Sequence, residues 1–250
     1  MIQIEVRDGI ALLRFDRPPA NAIELESATA LETTLAQLEG DGSVRAVVLT
    51  GRGAFFSAGL DLKLVPTYGP AEQRAMIAAI NRMIARIYGL ALPVVVAVNG
   101  HAIAGGLVVA LAGDYRIGSH GTYRLGLTET RVAIPYPAGP MAVVQAELAP
   151  AVARRWVLLA RNAGPEDALA DGVLDELQPP DALLPRALAM AEELAQLPRA
   201  AYGRIKRQLR RPTLRRIDAV VNGEDPLVRS WISAETAPAA TDVLARTRPS

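Results

Sequence analysis

The sequence predicts an α/β fold in which strands and helices alternate, and three observations carry that prediction. Short β-branched runs, of which Val94–Val98 is the clearest, read as buried strands. Between them lie segments with apolar residues at helical spacing, such as Ala28, Leu31, Leu35 and Leu38. Glycine-bearing turns, including Gly40 and Asn99-Gly100, separate the two kinds of segment.

Taken in order, Ile2, Ile4 and Val6 alternate with polar residues, Asp8-Gly9 follows, and Ile10 to Phe15 resumes the apolar pattern. This predicts a β-hairpin on a type I′ turn, stopped at Arg17-Pro18-Pro19. A helix closes at Gly40, and Val44 to Thr50 is the next strand. Met76, Ile80, Met83, Ile84 and Ile87 mark a helix over 71–88, a stripe that reads as core. The stretch Pro93 to Ala112 then runs from strand, through Asn99-Gly100 and Gly105-Gly106, into a helix apolar on every side. Tyr115 to Ser119 is a further strand, and His120-Gly121 a turn. Helices are predicted over 141–148 and 151–159, another opens at Pro165, a short strand starts at Gly172-Val173-Leu174, and a helix spans 181–197. Arg199 to Arg216 holds eight basic residues and no acid, with Tyr202, Ile205 and Leu209 as an apolar stripe. It reads as an amphipathic helix with a solvated basic face, a nucleic-acid surface being the alternative. A last helix is predicted over 233–246. Because 218–246 carries little apolar surface of its own, it is expected to pack on a neighbouring subunit.

Composition narrows the function. The 250 residues suit one large domain or a domain with an appendage. Lysine plus arginine number 27 against 26 acids, so overall charge points to neither nucleic acid nor membrane. The absence of cysteine excludes disulfides, thiolate metal sites and a cysteine nucleophile. Two histidines, His101 and His120, argue against a histidine-rich metal site. The N-terminus has no signal-peptide character and no apolar run reaches about 18 residues. A cytoplasmic protein is expected.

Three stretches are candidates for chemistry. The strand–glycine–helix turn at Asn99 to Leu107 presents backbone N–H groups at a helix N-terminus, a place for a phosphate or a developing oxyanion. A turn that uses glycine only for packing fits the same residues. It is not a P-loop, because Gly106 and Leu107 stand where Lys and Ser/Thr are required. Gly51-Arg52-Gly53 likewise lacks the third glycine and ribose acid of a dinucleotide fingerprint. In Phe56 to Lys63, Ser57-Ala58-Gly59 permits close approach to backbone and Leu60 adds an N–H, while Asp61 reads as a cap or structural acceptor before a short helix. In Gly126 to Pro137, Glu129 lies among Leu125, Leu127, Val132, Ala133 and Ile134, a lining that raises a carboxylate towards the pKa of a useful base. Pro135-Tyr136-Pro137 would form a rigid wall. A surface pair between Glu129 and Arg131 is the competing reading.

FFSAGLDLK, NGHAIAGGLVVALAGDYRI and GLTETRVAI, with PPANAI at 18–23, resemble in order and spacing the enoyl-CoA hydratase/isomerase (crotonase) superfamily, over nearly the whole chain. The resemblance implies a spiral of β-β-α units over 1–197 and a C-terminal helical oligomerisation region over 198–250, assembling as a homotrimer or dimer of trimers. It implies an acyl-CoA thioester substrate, with coenzyme A entering as part of the substrate and no other cofactor, metal or nucleic acid. The oxyanion-hole N–H groups fall on Leu60 and Gly105, with Gly106 beside them. Ala20, Asn21 and Ala58 would face the adenine end of CoA and Lys63 its polar portion; Gly106, Val108 and the wall residues Pro135 and Tyr136 complete the expected substrate-binding set. Of the family's two carboxylate positions, the later matches Glu129 and the earlier falls on Val108. GLTET and SAGLDL are also similar to delta-3,delta-2-enoyl-CoA isomerases, which use a single glutamate there. The implied reaction is 3-enoyl-CoA to 2-enoyl-CoA isomerisation. Hydration, another reaction of the superfamily such as thioester hydrolysis, and a non-catalytic acyl-CoA-binding subunit are the alternatives.

Overall fold

The structure, a computed structural model, describes residues 2–246; residue 1 and residues 247–250 of the predicted regions lie outside the described residues. Its main sheet has six strands in the order β1 (Ile2–Arg7), β2 (Ile10–Phe15), β3 (Ala46–Gly51), β5 (Val94–Val98), β7 (Tyr115–Ser119) and β10 (Glu176–Gln178). Only β1–β2 is antiparallel; Asp8 and Gly9 both take positive φ, as a type I′ turn requires. The other pairings are parallel, which explains why β3 and β5 are buried along their whole length: both faces are covered. Val47, Leu49, Val94, Val96 and Val98 face the larger core, with α1 (Leu25–Gly40), α2 (Pro70–Gly89) and α3 (Gly105–Leu111). Ala46, Val48, Val95 and Ala97 face α7 (Leu183–Ala195) through Leu183, Ala187 and Ala191.

A second sheet runs β4 (Phe55–Ser57), β6 (His101–Ile103), β8 (Leu125–Gly126) and β9 (Asn162–Ala163). The first three are parallel to one another and each follows directly on a strand of the main sheet. The chain therefore winds as repeated β-β-α turns: β3-β4-α2, β5-β6-α3, then β7-β8 followed by a 3-10 turn and α4 (Ala138–Glu147). The short second strands are invisible to periodicity. Three residues, HAI or FFS, are too few to show alternation. The strand predicted at Gly172 begins instead at Glu176, because Val173 and Leu174 bond back to Ala168 and close α6 (Pro165–Ala170).

The C-terminal region departs from expectation twice. In α8 (Arg199–Val221), Ile205 and Leu209 are exposed, at 63% and 80%, and the inward stripe is Gly203, Lys206, Arg210, Thr213 and Ile217. Two of the eight basic residues are therefore buried rather than solvated. The Lys206 ammonium lies 2.8 Å from Asp114 and 3.1 Å from the Leu92 carbonyl. The Arg210 guanidinium lies 3.0 Å from Asp114 and donates to the carbonyls of Gly113 (2.7 Å) and Ala112 (3.3 Å), at the carboxyl end of α3. Unpaired carbonyls and a carboxylate at a helix C-terminus call for cations, and this outweighs the apolar stripe. Second, 218–246 does not lack an intramolecular partner. Trp231 and Thr236 are fully buried, and α9 (Thr236–Arg246) rests on the 3-10 turns at Glu129–Val132 and Val65–Thr67 of its own chain.

Candidate active site

The site is assembled at the carboxyl ends of β4, β6 and β8, three neighbouring parallel strands. β4 leads into Ala58–Leu60, β6 into Gly105, and β8 into Glu129. Open parallel sheets place ligands at this end. The loops are fastened from behind by Asn99, whose side chain accepts from the Gly51 N–H at 2.8 Å and donates to the Gly53 carbonyl at 2.9 Å.

Leu60 forms a single parallel bridge with Ile23: Ile23 N–H donates to Gly59 O at 2.7 Å, and Asp61 N–H to Ile23 O at 3.0 Å. With both flanking groups committed to Ile23, the N–H of Leu60 itself points to the other side. Gly105 is the first residue of α3, so its N–H has no intrahelical acceptor. Neither amide donates to a protein acceptor among the described residues. The two segments touch. A Cβ on Gly59, whose φ is +76°, would lie 3.0 Å from Gly105 N and 2.7 Å from Ile103 O, so only glycine fits. Ala104 turns the chain into α3 with φ 52° and ψ −128°, an unfavourable conformation for alanine.

Glu129 opens the 3-10 turn after β8 and is buried. Burial raises its pKa from 4.5 to about 7, against the lowering effect of a hydrogen bond that the Tyr136 hydroxyl donates to Oε2. Tyr136 is itself pushed far up by burial and by the facing Glu129, so its hydroxyl remains a donor. Arg131 turns away and donates to the Ala160 carbonyl at 2.7 Å and 3.1 Å, which removes the surface-pair reading of Glu129. Val108 is buried within α3. Gly106 packs on Ser57, where a Cβ would lie 2.9 Å from that of Ser57.

The remaining predicted residues separate into two groups. Ala20, Asn21 and Ala58 come together: Ala58 N–H donates to Ala20 O at 3.0 Å, and Asn21 Nδ2 donates to the carbonyls of Phe55 (2.8 Å) and Arg52 (3.1 Å). The Asn21 side chain is thus spent on structure. Lys63 is exposed. No helix begins at Asp61; its carboxylate pairs with Arg17 at 2.9 Å and accepts from Lys63 N–H at 3.0 Å, the structural reading. Pro135 is exposed, and its carbonyl accepts from Trp231 Nε1 at 3.0 Å. Tyr136 is half-buried and is the member of the predicted wall at the carboxylate. Sequence reasoning missed Trp231 and Thr236, the latter donating to the Ala133 carbonyl at 3.1 Å. Contacts from about 100 residues downstream leave no local signal. A cleft of about 720 Å³ between Tyr68 and the first half of α1 is lined by neither Glu129 nor Gly105. No cluster of metal-ligating side chains exists among the described residues. No helix among them is long and apolar enough to cross a membrane.

The enoyl-CoA hydratase/isomerase family profile matches residues 5–243. The human mitochondrial enoyl-CoA delta isomerase 1 is 32% identical over 235 residues, covering 93% of this chain and 77% of that protein. A putative enoyl-CoA hydratase of Thermus thermophilus is 35% identical over 199 residues, 78% of each. The crystal structure of human mitochondrial delta3-delta2-enoyl-CoA isomerase superposes with a TM-score of 0.91 at 32% identity, over 98% of this chain and 97% of that one. With donor amides, a buried carboxylate and β-β-α winding that follow one pattern along its length, this chain belongs to the enoyl-CoA hydratase/isomerase family and has the crotonase fold.

Proposed function

We propose that this acyl-CoA enzyme moves the double bond of a 3-enoyl-CoA thioester to the 2-position. The observation that carries the reading is the pairing of one buried carboxylate, Glu129, with the free amides of Leu60 and Gly105 at adjoining strand ends, while Val108 makes the other carboxylate position apolar. Glu129 removes a proton from C2. The electron pair of that C–H bond passes to the thioester oxygen, giving a dienolate held by the two amides. Glu129 then returns the proton to C4, the C2–C3 double bond forms and the carbonyl is restored. A positioned base is worth about 10²–10⁴-fold in rate, and one oxyanion donor about 2.7–4 kcal/mol. Addition of water benefits from a second carboxylate, which Val108 does not provide. The human relative's name supports isomerisation; the Thermus relative's name keeps hydration as the competitor to be measured.

Around this centre the CoA moiety lies across Ala20, Asn21 and Ala58, with Lys63 near its polar portion, and no further cofactor is used. The assembly is a homotrimer or dimer of trimers, a reading supported by the exposed Ile205 and Leu209 on α8 and Leu158 and Leu159 on α5 (Pro150–Leu158) and its end. The test is a panel of 2-enoyl- and 3-enoyl-CoA substrates with product analysis. Conversion of 3-enoyl to 2-enoyl, lost with deuterium exchange at C2 in a folded Glu129→Gln protein that still binds CoA, is the expected result. A Glu129→Gln protein that isomerises at the wild-type rate would end the mechanism.

A further inference from the structure

Glu129 has two oxygens, and the structure treats them differently. Oε2 accepts the hydroxyl of Tyr136, seven residues on; Oε1 receives no side-chain donor among the described residues, and the backbone amides of Thr128 and Glu129 add a smaller lowering effect on the carboxyl's pKa. The loop that carries Tyr136 is held at three backbone points by the C-terminal segment. Thr236 donates to Ala133 O at 3.1 Å, Trp231 Nε1 to Pro135 O at 3.0 Å, and Ala138 N–H to the buried Asp225 carboxylate at 2.8 Å. Asp225 is fixed in turn by Asn81 Nδ2 at 2.9 Å. No other titratable side chain influences Glu129. Arg131 on the same turn is committed to Ala160 O, α5 meets the turn through the Val157 carbonyl at Thr130, and α9 through Thr236.

We infer that Tyr136 is a positioning and specificity residue: by holding Oε2 it leaves Glu129 a single working oxygen, which carries the proton from C2 to C4 and has no second site at which to orient water. The inference rests on the isomerase reading. An ionised carboxylate offers about four acceptor positions on two oxygens, so an unheld base can grip a water while it exchanges its proton. With Oε2 occupied by a charge-assisted bond and Val108 apolar, the proton taken from C2 stays on Oε1 until it reaches C4. The hydroxyl of Tyr136 neither titrates in the working range nor enters the proton balance.

The test is Tyr136→Phe, which removes one oxygen atom and keeps the ring, with Trp231→Phe as a second variant that loosens the same loop by removing an N–H donor. Each is compared with the wild type on 3-enoyl-CoA deuterated at C2, in ordinary water. In parallel, the Glu129 carboxyl is titrated by ¹³C NMR of carboxyl-labelled glutamate, its resonance identified with Glu129→Gln. For Tyr136→Phe we expect the titration to move up by about one pH unit, and kcat to fall about tenfold. The share of label passed from C2 to C4 should drop and the ratio of hydrated to isomerised product should rise. Trp231→Phe should move the same quantities less far. A merely structural tyrosine would lower folded yield and rate while leaving titration, label transfer and product ratio in place, and that result overturns the inference. A wild-type protein that does not convert 3-enoyl-CoA overturns the isomerase reading instead. The carboxyl titration needs no turnover and still decides whether Tyr136 holds the base.

Discussion

At the scale of single residues, ionisation of Glu129 works against folding. Its pKa is raised from 4.5 to about 7, so between those values the folded chain keeps a proton that the unfolded chain has released. Stability is therefore present below pH about 4.5 and lost as pH rises through about 7, by about 3 kcal/mol in all at 1.36 kcal/mol per unit. Glu129→Gln has no such group. Its stability advantage over the wild type, read from urea unfolding, should grow across this window and level off near pH 8, while wild-type isomerisation should rise with pH through about 7. A difference that stays flat from pH 4 to 8 would show that Glu129 titrates as an ordinary carboxylate. Ala104 makes a second residue-scale case. Its φ of 52° with ψ −128° costs about 1–3 kcal/mol for alanine, and glycine's extra chain entropy returns less than that. Ala104→Gly should raise stability by about 1 kcal/mol, measured as a higher urea midpoint at unchanged slope. It should gain nothing in rate, because the strained turn aims the Gly105 amide.

At the scale of elements, α3 and α8 show what a sequence can and cannot say. The strand–glycine–helix passage at Val94 to Leu111 is legible because β-branched residues, glycines and an all-round apolar run each have one local explanation. The β6 strand inside it is not, being three residues held by pairing with distant β4 and β8. In α8 the apolar stripe misleads, since the deciding partners, Asp114 and the carbonyls ending α3, are distant in sequence and polar. The two buried cations are not equivalent. Arg210 answers several carbonyls and Asp114 and lies 4.0 Å over the Tyr88 ring. Arg210→Met strands these groups and should cost about 3–5 kcal/mol. Lys206 is held down to a pKa of about 8 by desolvation despite Asp114, so its charged form is disfavoured on folding. Lys206→Met leaves Asp114 paired with Arg210 and should cost less than about 1 kcal/mol. Equal losses in a thermal unfolding comparison would contradict this assignment.

At the scale of the whole molecule, the spiral brings Leu60, Gly105 and Glu129 from three successive turns to adjacent strand ends. Gly59 and Gly106 were readable in advance because a Cβ on either would collide with backbone, whereas one on Gly105 would meet only ordinary contacts; Glu129 stood out as a carboxylate among apolar neighbours. Tyr136 was visible only as a wall, since its partner is fixed by the bend of the loop. Trp231 and Thr236 were unreadable, because their role is defined by carbonyls about 100 residues upstream. The apolar residues left outward on α8 and after α5 predict a trimer or dimer of trimers in light scattering at micromolar concentration; a monomer would refute it. A chain cut after Asn222 loses Asp225, Trp231 and Thr236 together. It should retain CoA binding at the Ala20–Ala58 edge, measured by calorimetry, while isomerisation falls at least as far as in Tyr136→Phe.

The three clamps on the Tyr136 loop also give the enzyme a clock. Pro135 and Trp231 are separated by 96 positions, and at about 5–20 residues per second a ribosome needs roughly 5–20 s to cover that distance. Throughout that interval the nascent chain already carries Glu129, the Leu60 and Gly105 amides and the strands that aim them, yet not the segment that holds the base in place. A translation product that stops short of Trp231 therefore has the amides and the carboxylate of the site without the bonds that hold the Tyr136 loop.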